Sequence, residues 1–211
     1  MIRDGIFYAV AFAAAGAFVS WLAGPWPAVP FLLVGAFCAW FFRDPERALP
    51  VGPVALSPAD GRVVSVVSES GRRTRISIFL NIFDVHVTRA PVGGRVAAMR
   101  YTKGRFVNAS LDKASEDNER LAIRIAPPEG PDVAFVLVAG LVARRIVCNL
   151  YDGQQVATGQ RVGIIRFGSR VDIYCPPPYV PMVVAGQRMV GGETVIADRF
   201  AEESPRRGVA Q

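Results

Sequence analysis

A chain of 211 residues, 51% of them apolar, suits one domain with an appendage. Its formal charge of +6 is almost all arginine, since Lys103 and Lys113 are the only lysines, and such a balance fits an anionic partner such as a membrane face. The arginines are scattered and no aromatic-basic motif accompanies them, so nucleic acid is not an expected partner. Cys38, Cys148 and Cys175 are odd in number and far apart, which argues against a disulfide framework or a zinc site and suits a reducing compartment. His86 is the one histidine, so any chemistry that needs an imidazole must use it.

Ile6 to Ala23 carries no charge, Gly24-Pro25-Trp26-Pro27 breaks it, and Ala28 to Phe42 is a second uncharged run. Each is at or slightly below the length that spans a bilayer, and together they read as a helical hairpin anchor over residues 1–45 with Trp21, Trp26 and Trp40 near the interfaces. Arg3 precedes the pair and Arg43 and Arg47 follow it, so the positive-inside rule places both ends, and everything after, in the cytoplasm. A cell-membrane location with the remaining domain on the cytoplasmic side is expected.

Past a polar, proline-rich linker the chain reads as short strands separated by Gly, Pro and Asn turns. The expected strands are 62–69, 74–80, 85–89, 95–101, 121–125, 133–139, 144–150, 161–167, 171–175, 183–185 and 194–197, with a turn of helix within 108–120. The fold class expected is mainly β, over residues 46–200, with a disordered tail from Ala201 to Gln211. Two echoes run through this part. Pro58-Ala59-Asp60-Gly61-Arg62-Val63 returns as Pro91-Val92-Gly93-Gly94-Arg95-Val96, and the Gly153–Val162 pattern returns at Gly186–Val195. They predict two similar half-units packed together, in the manner of a barrel-sandwich hybrid. The repeats resemble those of biotinyl and lipoyl carrier domains, but neither copy has a lysine to modify.

Two strand-like runs meet at Gly168-Ser169, where glycine permits conformations closed to other residues and serine adds a hydroxyl. Alternation on its strand puts His86 on one face with Asp84 and Thr88, and Asp60 lies in a Pro-Ala-Asp-Gly turn. Asp60, His86 and Ser169 together supply an orienting carboxylate, a base and a nucleophile. No set of metal ligands is present.

Four segments carry a resemblance. Ser57-Pro58-Ala59-Asp60-Gly61, Ile82 to Pro91, Gly104 to Arg120 and Phe167-Gly168-Ser169 are similar to the motifs of the phosphatidylserine decarboxylases, most closely the short prokaryotic form, from about Phe41 to Ala197. The resemblance implies a proenzyme that cuts itself between Gly168 and Ser169 into a β chain, 1–168, and an α chain, 169–211. Ser169 becomes a pyruvoyl group, with His86 and Asp60 assisting, and that group forms a Schiff base with the amine of phosphatidylserine during its decarboxylation to phosphatidylethanolamine. The implied partners are the lipid substrate, an anionic membrane, and the chain's own β and α pieces as a heterodimer, with further oligomers open. Arg43, Arg47, Arg72, Arg73 and Arg75 are candidates to attract headgroups, and Gly104–Arg120 reads as a solvated loop or an active-site cover. The competing readings are a membrane-tethered serine hydrolase using the same three residues and a non-enzymatic anchored binding module; both require the chain to stay whole.

Overall fold

The computed structural model describes residues 3–69, 73–104, 118–140, 146–165 and 169–202, and the elements counted here lie among them. The chain divides between Glu46 and Arg47 into two units. In the first, α1 (Arg3–Ala23) is followed by one 3-10 turn (Trp26–Ala28) and α2 (Val29–Phe41). Gly24 ends α1 because it takes φ +86°, where a side chain would be strained, while its N–H still donates to the Ser20 carbonyl. Proline starts both the 3-10 turn and α2, at positions where no intrahelical N–H is needed. The two helices approach closely at small residues, and a side chain on Gly35 would press on Phe12 and the Ala9 carbonyl. Asp4–Ala23 has a mean hydropathy of 1.9 and is the one described helix long and apolar enough to cross a bilayer. At roughly 1.5 Å per residue α2 is too short to do so alone.

The second unit is β. Its strands are β1 (Val54–Leu56), β2 (Gly61–Glu69), β3 (Arg73–Leu80), β4 (Val87–Arg89), β5 (Gly94–Thr102), β6 (Arg120–Ala126) and β7 (Val133–Val138). They continue as β8 (Ile146–Cys148), β9 (Gln155–Val156), β10 (Arg161–Ile165), β11 (Ser169–Cys175), β12 (Val180–Pro181), β13 (Arg188–Met189) and β14 (Val195–Asp198). The mainly β fold with an apolar helical N-terminus is therefore as expected. Four short strands escaped the sequence, β1, β9, β12 and β13, because two- and three-residue ladders carry no readable alternation. Residues 183–185, expected as a strand, are instead the approach to a tight turn. The Val184 N–H is taken by the Gln187 side chain and Gly186 turns the chain at φ +92°, while Val183 reaches the core. The expected helical turn within 108–120, the pieces 144–145 and 166–167 of two expected strands, and the tail beyond 202 fall wholly or largely outside the described residues.

An eight-stranded sheet runs β13-β2-β3-β11-β7-β6-β5-β9, and two three-stranded sheets run β1-β14-β12 and β4-β10-β8. The long sheet reads the same from either edge when β2 is exchanged with β5, β3 with β6, β11 with β7 and β13 with β9. The small sheets exchange likewise. The echoes are thus a pseudo-twofold. Val63 N–H donates to the Gln187 carbonyl as Val96 N–H does to Gln154, and Gly186 and Gly153 return the bond to Val63 and Val96. One half is contiguous, β4–β10. The other is split into β1–β3 and β11–β14. Residues 81–86 form the outward crossover between them, and the return connection between Ile165 and Ser169 lies outside the described residues.

The inner faces enclose one core. Ile76, Ile78 and Leu80 of β3, Val133, Phe135 and Leu137 of β7 and Val171 and Ile173 of β11 alternate inward, as a half-buried pleat requires. Gly61 and Gly94 occupy equivalent places, at φ +140° and +149°, where an added Cβ would strike the carbonyls of Phe79 and Ala126. Gly94→Ala should therefore cost about 2 kcal/mol from backbone strain and overlap. That corresponds to a melting temperature lower by about 4–8 °C in a thermal unfolding experiment; an unchanged value would contradict the close approach.

Candidate active site

Ser169 opens β11, fully buried, opposite Leu80 of β3. Its place follows from the ladder, since β11 is bonded to β3 on one side and β7 on the other. By alternation Ser169 shares the inward face of Val171 and Ile173. Its Oγ has no hydrogen-bond partner among the described residues. A buried hydroxyl in that state costs stability, roughly 1–3 kcal/mol, and calls for a reason. Gly168 lies outside the described residues.

His86 lies on the outward crossover, also fully buried. Its carbonyl accepts the Ile165 N–H at 3.4 Å, and Val87 then pairs with Ile164, so His86 stands beside the strand that leads into the return crossover. Its Nδ1 is 2.9 Å from the Asp84 carbonyl oxygen. A carbonyl only accepts, so Nδ1 carries the proton and Nε2 is left with the basic lone pair. That acceptor is a backbone oxygen two residues away, where the carboxylate of Asp60 was expected.

Asp60 leads into β2 at the same end of the sheet. Arg62 stands opposite Phe79, and Phe79 opposite Arg170, which separates β2 from β11 by two ladder steps, roughly 10 Å. The Asp60 carboxylate is held by Arg47 Nη2, at 3.0 Å to Oδ1 and 2.9 Å to Oδ2, and by the Gly191 N–H at 2.7 Å. Asp60, His86 and Ser169 thus lie toward one end of the sheet, with Asp60 bound to Arg47 and Ser169 Oγ bonded to nothing among the described residues.

Three supporting groups went unread in the sequence. Asp84, 2% exposed, accepts the Asn81 N–H at 2.9 Å and Arg188 Nη2 at 3.1 Å, and so fixes the crossover that bears His86. Arg170 and Asp172, both fully buried, form a charged bond of 2.6 Å, and Arg170 also donates to Ser77 Oγ at 2.8 Å. Spacing of i and i+2 places this pair on the face of β11 opposite Ser169. Arg47, expected as a headgroup ligand, is engaged by Asp60, and Arg75 by Glu69 at 2.7 Å. An Asn-x-x-Asp turn and an Arg-x-Asp strand were legible signals; their partners, over a hundred residues away for Asp84 and Arg188, were not. No cluster of metal ligands occurs among the described residues. Burial pushes the Cys175 thiol up to about 12, which removes it as a nucleophile at neutral pH.

Ser169 is thus a buried serine at a strand start, and His86 a buried histidine on the 81–86 crossover that continues from the residue opposite it. Residues 34–197 match the family model described as phosphatidylserine decarboxylase. The chain is 48% identical over 204 residues to the phosphatidylserine decarboxylase proenzyme of Solibacter usitatus, covering 97% of this chain and 99% of that one. With the proenzyme of Granulibacter bethesdensis the identity is 54% over 207 residues, covering 93% and 83%. With that of Paramagnetospirillum magneticum it is 49% over 186 residues, covering 83% and 78%. The chain belongs to the phosphatidylserine decarboxylase family of enzymes.

The buried pair makes a prediction independent of catalysis. Arg170→Met leaves Asp172 as a buried charge without its nearest cation, and should destabilise by about 3–5 kcal/mol. Arg170→Met with Asp172→Leu should recover most of that loss, measured by denaturant unfolding; a double variant no better than the single would show that the pair does not act as a unit.

Proposed function

We propose that this chain is a self-processing decarboxylase that converts phosphatidylserine to phosphatidylethanolamine, with a pyruvoyl group made from Ser169. The observation that carries the reading is the Ser169 hydroxyl, fully buried and unpartnered among the described residues, at the first position after the return crossover. The relatives' shared description as proenzymes supports it.

On this reading His86 Nε2 takes the proton from Ser169 Oγ, and Oγ attacks the Gly168 carbonyl carbon. The amide nitrogen leaves that carbon, turning the peptide into an ester. Loss of the Ser169 α-proton expels the Gly168 carboxylate and leaves a dehydroalanine at 169. Addition of one water and loss of one ammonia convert it to the pyruvoyl end of the 169–211 chain. Residues 169–202 keep their places through β11 on β3 and β7, β13 on β2, and β14 on β1. The two pieces would stay together as a heterodimer.

The pyruvoyl group supplies a ketone that accepts an amine and draws electrons from an adjacent carboxylate. The chain's own residues do the rest. The β3–β11–β7 ladder holds residue 169 in place, the apolar core face beside it excludes water, and His86 returns a proton to the carbon that has lost carbon dioxide. Asp60, through Arg47 and the Gly191 N–H, joins β2 to the β13–β14 connection at the same end. Its part is in maturation more than in turnover. The apolar α1 would anchor the chain in the cell membrane, with the arginines after α2 keeping the β unit on the cytoplasmic side.

Intact mass under denaturing, reducing conditions tests the first reaction. The expected result is two pieces split after Gly168, the smaller lighter by one ammonia than its sequence. Ser169→Ala and His86→Ala should each give one whole chain, and neither should release carbon dioxide from phosphatidylserine. A wild-type chain of full mass with Ser169 intact would overturn the reading in favour of a hydrolase or an inert turn. Asp60→Ala should slow the cut by about tenfold or more, followed by gel over time, because Arg47 and Gly191 lose their shared acceptor; normal processing would sink the maturation role.

A further inference from the structure

The turn between Leu80 and His86 carries two largely exposed apolar side chains. Ile82 is 43% exposed and Phe83 62%. This is not slack chain. Asp84 N–H donates to the Asn81 carbonyl at 3.1 Å, Asn81 N–H to Asp84 Oδ2 at 2.9 Å, and Phe83 N–H to Asn81 Oδ1 at 2.7 Å. Arg188 ties the same carboxylate to β13 at 3.1 Å. Most of the turn's polar groups are thus satisfied from within, as backbone must be if it is to leave bulk water.

Its place matters as much as its build. The turn continues from Leu80, the residue opposite Ser169, and runs on into His86. Arg62 and Arg188 face each other across β2 and β13 beside it; Arg62 is exposed, and the Arg188 side chain is 72% exposed even while it bonds Asp84. An exposed aromatic and an aliphatic side chain, flanked by arginines whose stems can lie along lipid, match an anionic bilayer interface.

We propose that Ile82 and Phe83, with Arg62 and Arg188 beside them, form the surface by which the β unit docks on an anionic lipid bilayer and receives its substrate. The proposal rests on the functional reading above. A two-chain lipid does not leave the bilayer readily, and Ser169 is fully buried, so this end of the sheet must come to the headgroups. A rigid apolar tip beside the residue opposite Ser169 brings the site to that level. Lipid, rather than a protein, is the occupant because the patch is two side chains wide and its flanking charge is opposite to that of the substrate itself.

The test uses the full chain reconstituted in phosphatidylcholine–phosphatidylserine vesicles, comparing wild type with Ile82→Ser/Phe83→Ser and with Arg62→Glu. Chain cleavage is followed by mass. Decarboxylation is measured on long-chain phosphatidylserine in the bilayer and on dicaproyl phosphatidylserine dissolved below its micelle concentration. The double variant should cut itself normally, keep its rate on the soluble lipid within about twofold, and lose about tenfold or more in kcat/KM on the bilayer lipid. Arg62→Glu should show the same selectivity, with a loss that shrinks as salt is raised. Equal losses on both lipids, or none on either, would overturn the proposal. A wild type that cuts itself but decarboxylates neither lipid would remove the functional reading, and this proposal with it.

Discussion

The ladder that holds β11 between β3 and β7 is what the rest of the molecule depends on. A strand bonded on both edges has no freedom to shift register, since a slip of one residue would turn Val171 and Ile173 out of the core. The first residue of that strand inherits the same constraint. Ser169 can be kept buried, with no partner for its hydroxyl among the described residues, because the bonds from 170 to 175 over-determine where it lies. A hydroxyl in a loop would turn toward water and find a partner.

The pseudo-twofold explains why the candidate chemistry occupies one end only. Asp60 and Gly93 are equivalent positions, as are Gly61 and Gly94, yet one half has a carboxylate where the other has hydrogen. The connections differ in the same sense. β6 and β7 are joined by a short hairpin through Pro127–Asp132, whereas β3 and β11, their counterparts, are joined through the whole of the other half. That insertion creates two crossovers at one end of the sheet. His86 lies on one, and Ser169 opens the strand that follows the other.

Charge is distributed with the same economy. Arg170 and Asp172 are buried as a bonded pair with Ser77, which is tolerable because each meets an opposite charge or a dipole at short range. Arg47 and Asp60 form another close pair, mostly withdrawn from solvent and anchored by the Gly191 N–H. Of the arginines that make the sequence basic, several are therefore internal fasteners, while Arg62 and Arg188 are among the described ones that face outward near the site.

Much was legible along the chain. Two uncharged runs broken by Gly-Pro-Trp-Pro specify paired helices, because neither periodicity nor turn chemistry allows otherwise. Alternating residues from Arg62 to Leu80 and from Arg120 to Val138 specify strands with one wet face. The repeated Pro-x-x-Gly-Arg-Val motif specified two like halves. These are local matters of steric preference and hydrophobic period, and a linear string records them. Only the tertiary structure decided what the polar residues touch. It gave Asp60 to Arg47 and Gly191 rather than to His86, gave the His86 Nδ1 to a backbone carbonyl, tied Asp84 to Arg188 and set Ser169 two ladder steps from β2. Apart from the His86–Asp84 contact, such pairings are formed by closing loops of 13 to 131 residues. Their partners are chosen by where a strand ends in space, which no local pattern states.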